Sequence, residues 1–438
     1  MLTNTYRCPR LTCEYADCAL PMTFDQYKKC GFDCLYCFAR YQRENNPNSK
    51  DYMTGEIKSI DIEKVKKIFL GKNPKNPLYK NFIAKKKVLQ WGSMADPFDP
   101  IEATYGLGYE LMEFFAELEY PIRFSTKATL PVEGKYYEFL KKNAPKLKDK
   151  WAFTYSIITL DEEASKQIEI ATPSPLKRYD ALKKLKDLGY YTIHRLRPFM
   201  LGISDKTLNE MLLMDKKVGV DAISTEFFCL DTRVSKNQKL MYDKISKIAG
   251  FDYIQFYKKN SVVKGYERLN PKIKEPHVKT MKDFCKANGI LFSISDAHFK
   301  ELNDTDCCCG LPASDGPTPL SNYQGIQLTA VISRARKKYI ETGKLDKIHL
   351  KDIDIIWMKD FMYREMSSVF DKYKSAKRRT QTVYDDFVNK WNDPSRGSSP
   401  YKYFFGRLTP VGTDKDNNVI YTYNPSDLDI DERITSMK

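Results

Sequence analysis

The sequence predicts an α/β protein: a largely parallel sheet with helices packed outside it, followed by an α-rich extension. Three observations carry this. Strand-like runs alternate with helix-periodic runs from residue 22 to residue 228. Several helical runs close on a glycine, among them Gly71, Gly189 and Gly219. The 438 residues are 42% hydrophobic and 13% aromatic, enough to build a core around such a sheet.

In chain order, MTFDQY (22–27) alternates and ends in an aromatic residue, so it reads as a short strand. A polar, turn-rich stretch follows, and DIEKVKKIFLG (61–71) has helical periodicity. KVLQWG (87–92) is an apolar strand run and YGLGYELMEFFAEL (105–118) an amphipathic helix. PIRFST (121–126), WAFTYSI (151–157), YYTIHRL (190–196) and VDAISTEFF (220–228) read as further strands. EGKYYEFLKKNA (133–144), PLKRYDALKKLKDLG (175–189) and KTLNEMLLMDKKVG (206–219) read as the helices between them. With the first strand this gives six βα units, the pattern of a parallel sheet. GILFSIS (289–295) follows another helical stretch and can extend it.

No basic segment followed by an apolar run opens the chain, and no stretch approaches a membrane span, so a soluble cytoplasmic protein without membrane contact is expected. In that compartment 11 cysteines are more in keeping with metal binding or chemistry than with disulfides. The net charge of +15, from 72 Lys+Arg against 57 Asp+Glu, suits a polyanionic partner such as DNA or RNA. It equally suits a lysine-rich solvated surface.

The sharpest local signal is CGFDCLYCFAR (30–40), with Cys30, Cys34 and Cys37 on one loop. A structural zinc site wants four ligands, and a redox CxxC motif would leave Cys30 unused. Three close thiolates suit three irons of a [4Fe–4S] cluster whose fourth iron stays open for chemistry. Strand, cysteine loop, then helix is the order that places a loop at the C-terminal mouth of a parallel barrel.

The CxxxCxxC spacing, with Tyr36 before the third cysteine, resembles the signature of the radical S-adenosylmethionine (SAM) superfamily. WGSMADPFDPIE (91–102), IRFSTKA (122–128), FTYSIITLDEEASKQIE (153–169), TPSPLKRYDALKKLKDLGY (172–190) and RPFMLGISD (197–205) together resemble its spore-photolyase-like branch, which includes DNA repair photolyases. The likeness covers about residues 22–230. It implies a partial (β/α)6 TIM-type barrel. It also implies an enzyme, a lyase or related, whose cluster cleaves SAM to a 5′-deoxyadenosyl radical, fed by a flavodoxin- or ferredoxin-type electron donor. By position in these motifs, Lys127 would meet the SAM carboxylate and Ser156 would lie near SAM. Asp96 would meet SAM or substrate, or cap a turn, and Tyr36 would pack on the cluster or the adenine. Glu169 and Arg178 would pair across a loop. The hydrogen-donating cysteine of spore photolyases corresponds to Ser93 here, and a tyrosine beyond the third cysteine corresponds to Phe38. Repair of the spore photoproduct is therefore not expected.

Cys8, Cys13 and Cys18 precede the first strand, and Cys307, Cys308 and Cys309 fall together in DTDCCCGLP. They are candidates for an auxiliary Fe–S cluster or a zinc site, or else buried structural thiols. His194, beside Arg195 and Arg197, either lines the site or is a buried, satisfied histidine. The expected organisation is a Cys-rich segment (1–21), the barrel (22–310), a Pro/Gly/Ser-rich linker (311–325) and a helical extension (326–438). In the extension, KSAKRR (374–379) is a basic patch. RGSSPYKYFFGRLTP reads either as a base-stacking surface or as packing against the barrel. The substrate expected is nucleic acid or a nucleotide. The rivals are a small-molecule or peptide substrate, and a non-catalytic metal-binding nucleic-acid module.

Overall fold

The computed structural model describes residues 2–12, 14, 17–44, 55–232, 236–261, 265–366 and 380–426. Numbering only the strands of the large sheet, β1 is Met22–Phe24, β2 Leu89–Trp91, β3 Ile122–Thr126 and β4 Trp151–Ser156. β5 is Tyr191–Phe199, β6 Ala222–Phe227 and β7 Leu291–Ile294. They lie side by side in chain order, each parallel to the next. The sheet thus has seven parallel strands rather than six, because 289–295 does join it. Arg10–Leu11 adds an antiparallel edge strand on β1 that the sequence did not reveal.

Helices fill every crossover. Asp61, Asp99 and Asp161 cap three of them by accepting backbone N–H groups of their first turns. Gly106, Gly219 and Gly289 end three helices in the left-handed conformation that a Cβ would disfavour.

The two faces of the sheet differ in chemistry. The outer face is apolar: Phe124 stacks on Phe153 with ring centroids 5.0 Å apart and meets Trp151 at 5.2 Å. Such pairs add about 1 kcal/mol each beyond their buried area. His194 belongs to this face. It is fully buried, with Nδ1 2.8 Å from Asp215 Oδ2 and Nε2 2.9 Å from the Ile157 carbonyl. Burial pulls its pKa down, but the Asp215 carboxylate and both acceptors raise it above the ordinary value. Both ring nitrogens are engaged within the protein, so His194 is a buried, satisfied histidine and does not line the site.

The inner face carries polar side chains at alternate positions: Arg123 and Ser125 on β3, Thr154 and Ser156 on β4, and Arg195 and Arg197 on β5. Ser224 and Glu226 on β6 and Ser293 on β7 continue it. Its floor, at the N-terminal ends of the strands, is a small apolar cluster of Ala19, Leu20, Ala152, Ile193, Ala222, Leu311, Leu320 and Tyr323 with Cys307. The segment 311–325 is packed here rather than spanning solvent. Gly310 fits because a Cβ on it would stand 2.9 Å from Ile193 Cγ2.

The C-terminal extension has the helices Leu328–Thr342 and Val383–Trp391, and also a three-stranded antiparallel sheet of Lys347–Ile348, Val419–Tyr423 and Leu408–Thr413. Tyr403 Oη donates to Asp17 (2.6 Å), which pairs with Lys300, while Tyr423 Oη and Arg407 engage Glu301. Within the run 396–410, Phe404 and Phe405 pack into the protein, while Tyr401 and Tyr403 are partly exposed. KSAKRR (374–379) lies outside the described residues. No helix among the described residues is long and apolar enough to cross a membrane.

His194→Ala leaves Asp215 buried and unpaired. Urea denaturation is expected to show a loss of about 3–5 kcal/mol, the usual cost of breaking a buried pair. A loss under about 1 kcal/mol would contradict the structural role.

Candidate active site at the mouth of the sheet

The cysteine loop leaves the C-terminal end of β1 and is held from two sides. On one side Asp33–Cys34 pairs antiparallel with Glu169–Ile170, and Leu35 N donates to Ile168 O at 2.8 Å. Tyr36 Oη donates to Glu169, which forms an ion pair with Arg178 at 2.6 Å, both side chains fully buried. The pairing of Glu169 with Arg178 expected from the sequence is thus present. On the other side Asp99 accepts from Gly31 N, and its second oxygen caps the next helix at Ile101 N (3.0 Å) and Glu102 N (3.2 Å).

Asp96 joins the ends of β2 and β3. Its Oδ1 accepts from Phe98 N (3.0 Å) and Thr126 Oγ1 (2.7 Å), and its Oδ2 from Lys127 N (2.6 Å). Both oxygens are engaged within the protein, and they set the backbone of Lys127. Lys127 Nζ lies 5.7 Å from the centre of the Tyr36 ring. Ser156 ends β4 on the inner face, nearly buried, and its carbonyl accepts from Arg178 Nη1 at 2.9 Å.

Three anchors escaped the sequence reading. Asp25, one residue past β1, accepts from Ser93 N (2.8 Å), Met94 N (3.0 Å) and Ala95 N (3.1 Å), and pairs with Arg10. The second is Arg10 itself, which also donates to Ser93 Oγ at 3.0 Å. The third, Glu102, is wholly buried and takes bonds from Tyr27 Oη, Tyr136 Oη, Gly108 N and Tyr109 N. Asp25 reads as one more residue of an alternating strand. In the ADPFDPIE motif nothing local marks Glu102 as an anchor.

Burial pushes the Cys34 thiol up to about 12; Lys127 opposes this, and Glu169 and Cys37 add to it. Burial also raises Cys30, with Asp99 and Asp96 contributing. Cys37 acts electrostatically on both of the others, and its Sγ accepts from Arg40 N at 3.4 Å. Among the described residues no three His, Cys, Asp or Glu side chains stand at chelating distances. The donor chemistry nevertheless fits a cluster: three thiols outside any disulfide on one braced loop, beside a cationic Lys127. Iron would have to displace protons from them.

The other cysteines divide. Cys18 lies in electrostatic reach of Cys308 and Cys309, and Cys309 exchanges side-chain bonds with Cys307 and Cys308. This group sits on the inner face, where Arg123 Nε donates to Cys309 O (3.0 Å) and Ser224 Oγ to Cys308 O (3.1 Å). Cys8 is apart from it, beside Arg10 near Ser93. Cys13 lies outside the described residues.

The Asp99 carboxyl is raised to about 7, chiefly by burial, against the pull of the Gly31, Glu102 and Ile101 N–H groups. Its folded pKa exceeds the unfolded value of about 3.9. The stability it contributes is thus present below about pH 4 and lost as pH rises through about 7. Urea melts across that window are expected to fall less steeply for Asp99→Asn than for the native chain; identical slopes would contradict this assignment.

No protein-family profile matches the chain, and no curated protein matches it. Solved structures do show a likeness. Spore photoproduct lyase complexed with dinucleoside spore photoproduct is 14% identical with a TM-score of 0.47, covering 67% of this chain and 80% of that one. Streptococcus suis SuiB bound to S-adenosylmethionine is 11% identical with a TM-score of 0.42, covering 66% and 54%. In overall fold the chain is similar, over part of its length, to these solved structures.

Proposed function

We propose that this chain is a radical SAM enzyme in which Cys30, Cys34 and Cys37 hold a [4Fe–4S] cluster, acting on nucleic acid or a nucleotide. The observation that carries this reading is the three-thiol loop braced on both sides at the C-terminal mouth, with Lys127 and Tyr36 beside it. When bound, the cluster supplies the electron that cleaves SAM to methionine and a 5′-deoxyadenosyl radical, which takes a hydrogen atom from substrate.

The chain's own residues bind and orient. Lys127 presents a cation to the SAM carboxylate, and Asp96 acts through it as a positioning residue. Tyr36, pinned by Glu169, gives a flat surface for the cluster or the adenine. Ser156 offers a hydroxyl at the end of β4. A scaffold that held metal only for folding has no need of this convergence of strand ends. A reducing compartment such as the cytoplasm fits, since none of the described cysteines forms a disulfide. A flavodoxin- or ferredoxin-type protein is the proposed electron donor. Cys18, Cys307, Cys308 and Cys309 are the proposed donors for an auxiliary Fe–S cluster or zinc.

Anaerobic reconstitution with iron and sulfide, then reduction and addition of SAM, is expected to yield 5′-deoxyadenosine, and Cys34→Ala to yield none. No product from the fully loaded native protein would leave the metal-binding module as the better reading. Lys127→Met is expected to raise the KM for SAM roughly tenfold, equivalent to one lost charged hydrogen bond of about 1.4 kcal/mol. An unchanged KM would remove Lys127 from the SAM site. Iron or zinc retained by Cys34→Ala would assign metal to the second cysteine group; a metal-free variant would assign it structural thiols.

A further inference from the structure

The inner face of the sheet holds more cationic than anionic groups, and its arginines are not all matched. Arg197 pairs with Glu226, Lys300 with Asp17, and Arg10 with Asp25. Arg123 and Arg195 form no ion pair among the described residues. Arg123 is fully buried. Its Nε donates to Cys309 O (3.0 Å) and its Nη1 to Gln90 Oε1 (2.6 Å), while its Nη2 has no partner. On the neighbouring strand Thr154 Oγ1 is also buried without a partner. Thr154 is in register with Ser125, whose hydroxyl takes a bond from Arg195 Nη1 at 3.1 Å.

Two guanidiniums and two hydroxyls therefore converge on one stretch of the inner face, with unused donors among them. Burial, then the charges of Arg197 and Arg123, lower the pKa of Arg195, as expected of a cation crowded by its own kind. Glu226 and Glu14 face the same space and offset part of the charge. Glu226 is bound to Arg197, and Glu14 is exposed.

We infer that Arg123 and Arg195, with Thr154 and Ser125, bind a phosphate group of the substrate inside the barrel. A phosphate carries several acceptor oxygens in a compact anion, matching forked guanidinium donors with hydroxyls between them. The inference rests on the radical SAM reading for its choice of substrate site. It places the recognising charge inside the sheet. Arg407, one of the external basic residues, is engaged with Glu301 and with the carbonyls of Asn424 and Ser426. The phosphate can belong to a free nucleotide or to one unit of a strand.

The test is calorimetry on the reconstituted full-length protein with SAM, using thymidine, thymidine 5′-monophosphate and the oligonucleotide d(T)4. Phosphate-bearing probes are expected to bind at least tenfold more tightly than thymidine. The monophosphate binding best would assign a free nucleotide, and d(T)4 binding best a strand. The preference is expected to vanish in Arg195→Gln and Arg123→Gln. Equal binding of thymidine and both phosphate probes, or a preference that survives in Arg195→Gln, would overturn the inference.

Arg195→Gln keeps the test sound if Arg123→Gln fails to fold. It removes one of several crowded cations, so its Tm without phosphate is expected to match or exceed the native value. A purely structural arginine would lower it. Binding is read without SAM cleavage, so loss of the radical reading would show as absent 5′-deoxyadenosine and not as absent phosphate preference.

Discussion

The buried ion pair between Glu169 and Arg178 is the interaction on which the mouth of this protein depends. Arg178 uses all three nitrogens: Nε donates to Pro173 O, Nη1 to Ser156 O, and Nη2 to Thr172 Oγ1 and Ser165 Oγ. Glu169 takes the Tyr36 hydroxyl, and its backbone pairs with Cys34. One pair thus ties the end of β4, the crossover after it and the cysteine loop. Removing either charge would leave the other stranded in a dry interior, at a cost of several kcal/mol. With both present, every donor has a partner and the loop has one position.

Other carboxylates repeat this solution on the opposite side. Asp25, Asp96, Asp99 and Glu102 each gather two or more protein donors, and each joins segments far apart in sequence. Backbone N–H groups at strand ends and helix starts have no partner in regular structure, so a buried carboxylate is an efficient way to satisfy them. The site is therefore rigid where the cysteine loop begins and ends. The inner face below it stays polar, from Ser156 and Arg195 down to the cysteines of 307–309, and an apolar floor closes it. A sheet with an apolar outside and a charged inside separates stability from binding.

The repeating elements were legible because each strand and helix carries its own periodicity, as in PIRFST followed by EGKYYEFLKKNA. The cysteine loop was legible because its three thiols are contiguous. The Glu169–Arg178 pair was legible only through the two neighbouring motifs, 153–169 and 172–190, that contain one partner each. What escaped was long-range. Asp25 is a single letter in an alternating strand, and nothing local says that three N–H groups from 93–95 fold onto it. Arg123, Arg195 and Arg197 lie on two strands, and their shared face is set by register. The alternation in IRFSTK and HRLRP was the available signal: it puts polar or basic residues, Arg123, Ser125, Arg195 and Arg197, on one face at every second position. The C-terminal sheet escaped because RLTPVGT carries a Pro and a Gly within its strand. The aromatic run before it stayed open between surface and packing, because composition does not distinguish buried rings from exposed ones.

The central claim is that the loop of Cys30, Cys34 and Cys37 carries a cluster with one iron open to SAM. Electron paramagnetic resonance of the reduced, reconstituted protein tests it most directly, recorded with and without SAM and with Cys34→Ala as the control. The account predicts a reduced [4Fe–4S] signal whose g values shift when SAM is added, and whose shifting component is absent from the variant. A signal that SAM leaves unchanged, or one that survives intact in Cys34→Ala, would contradict it.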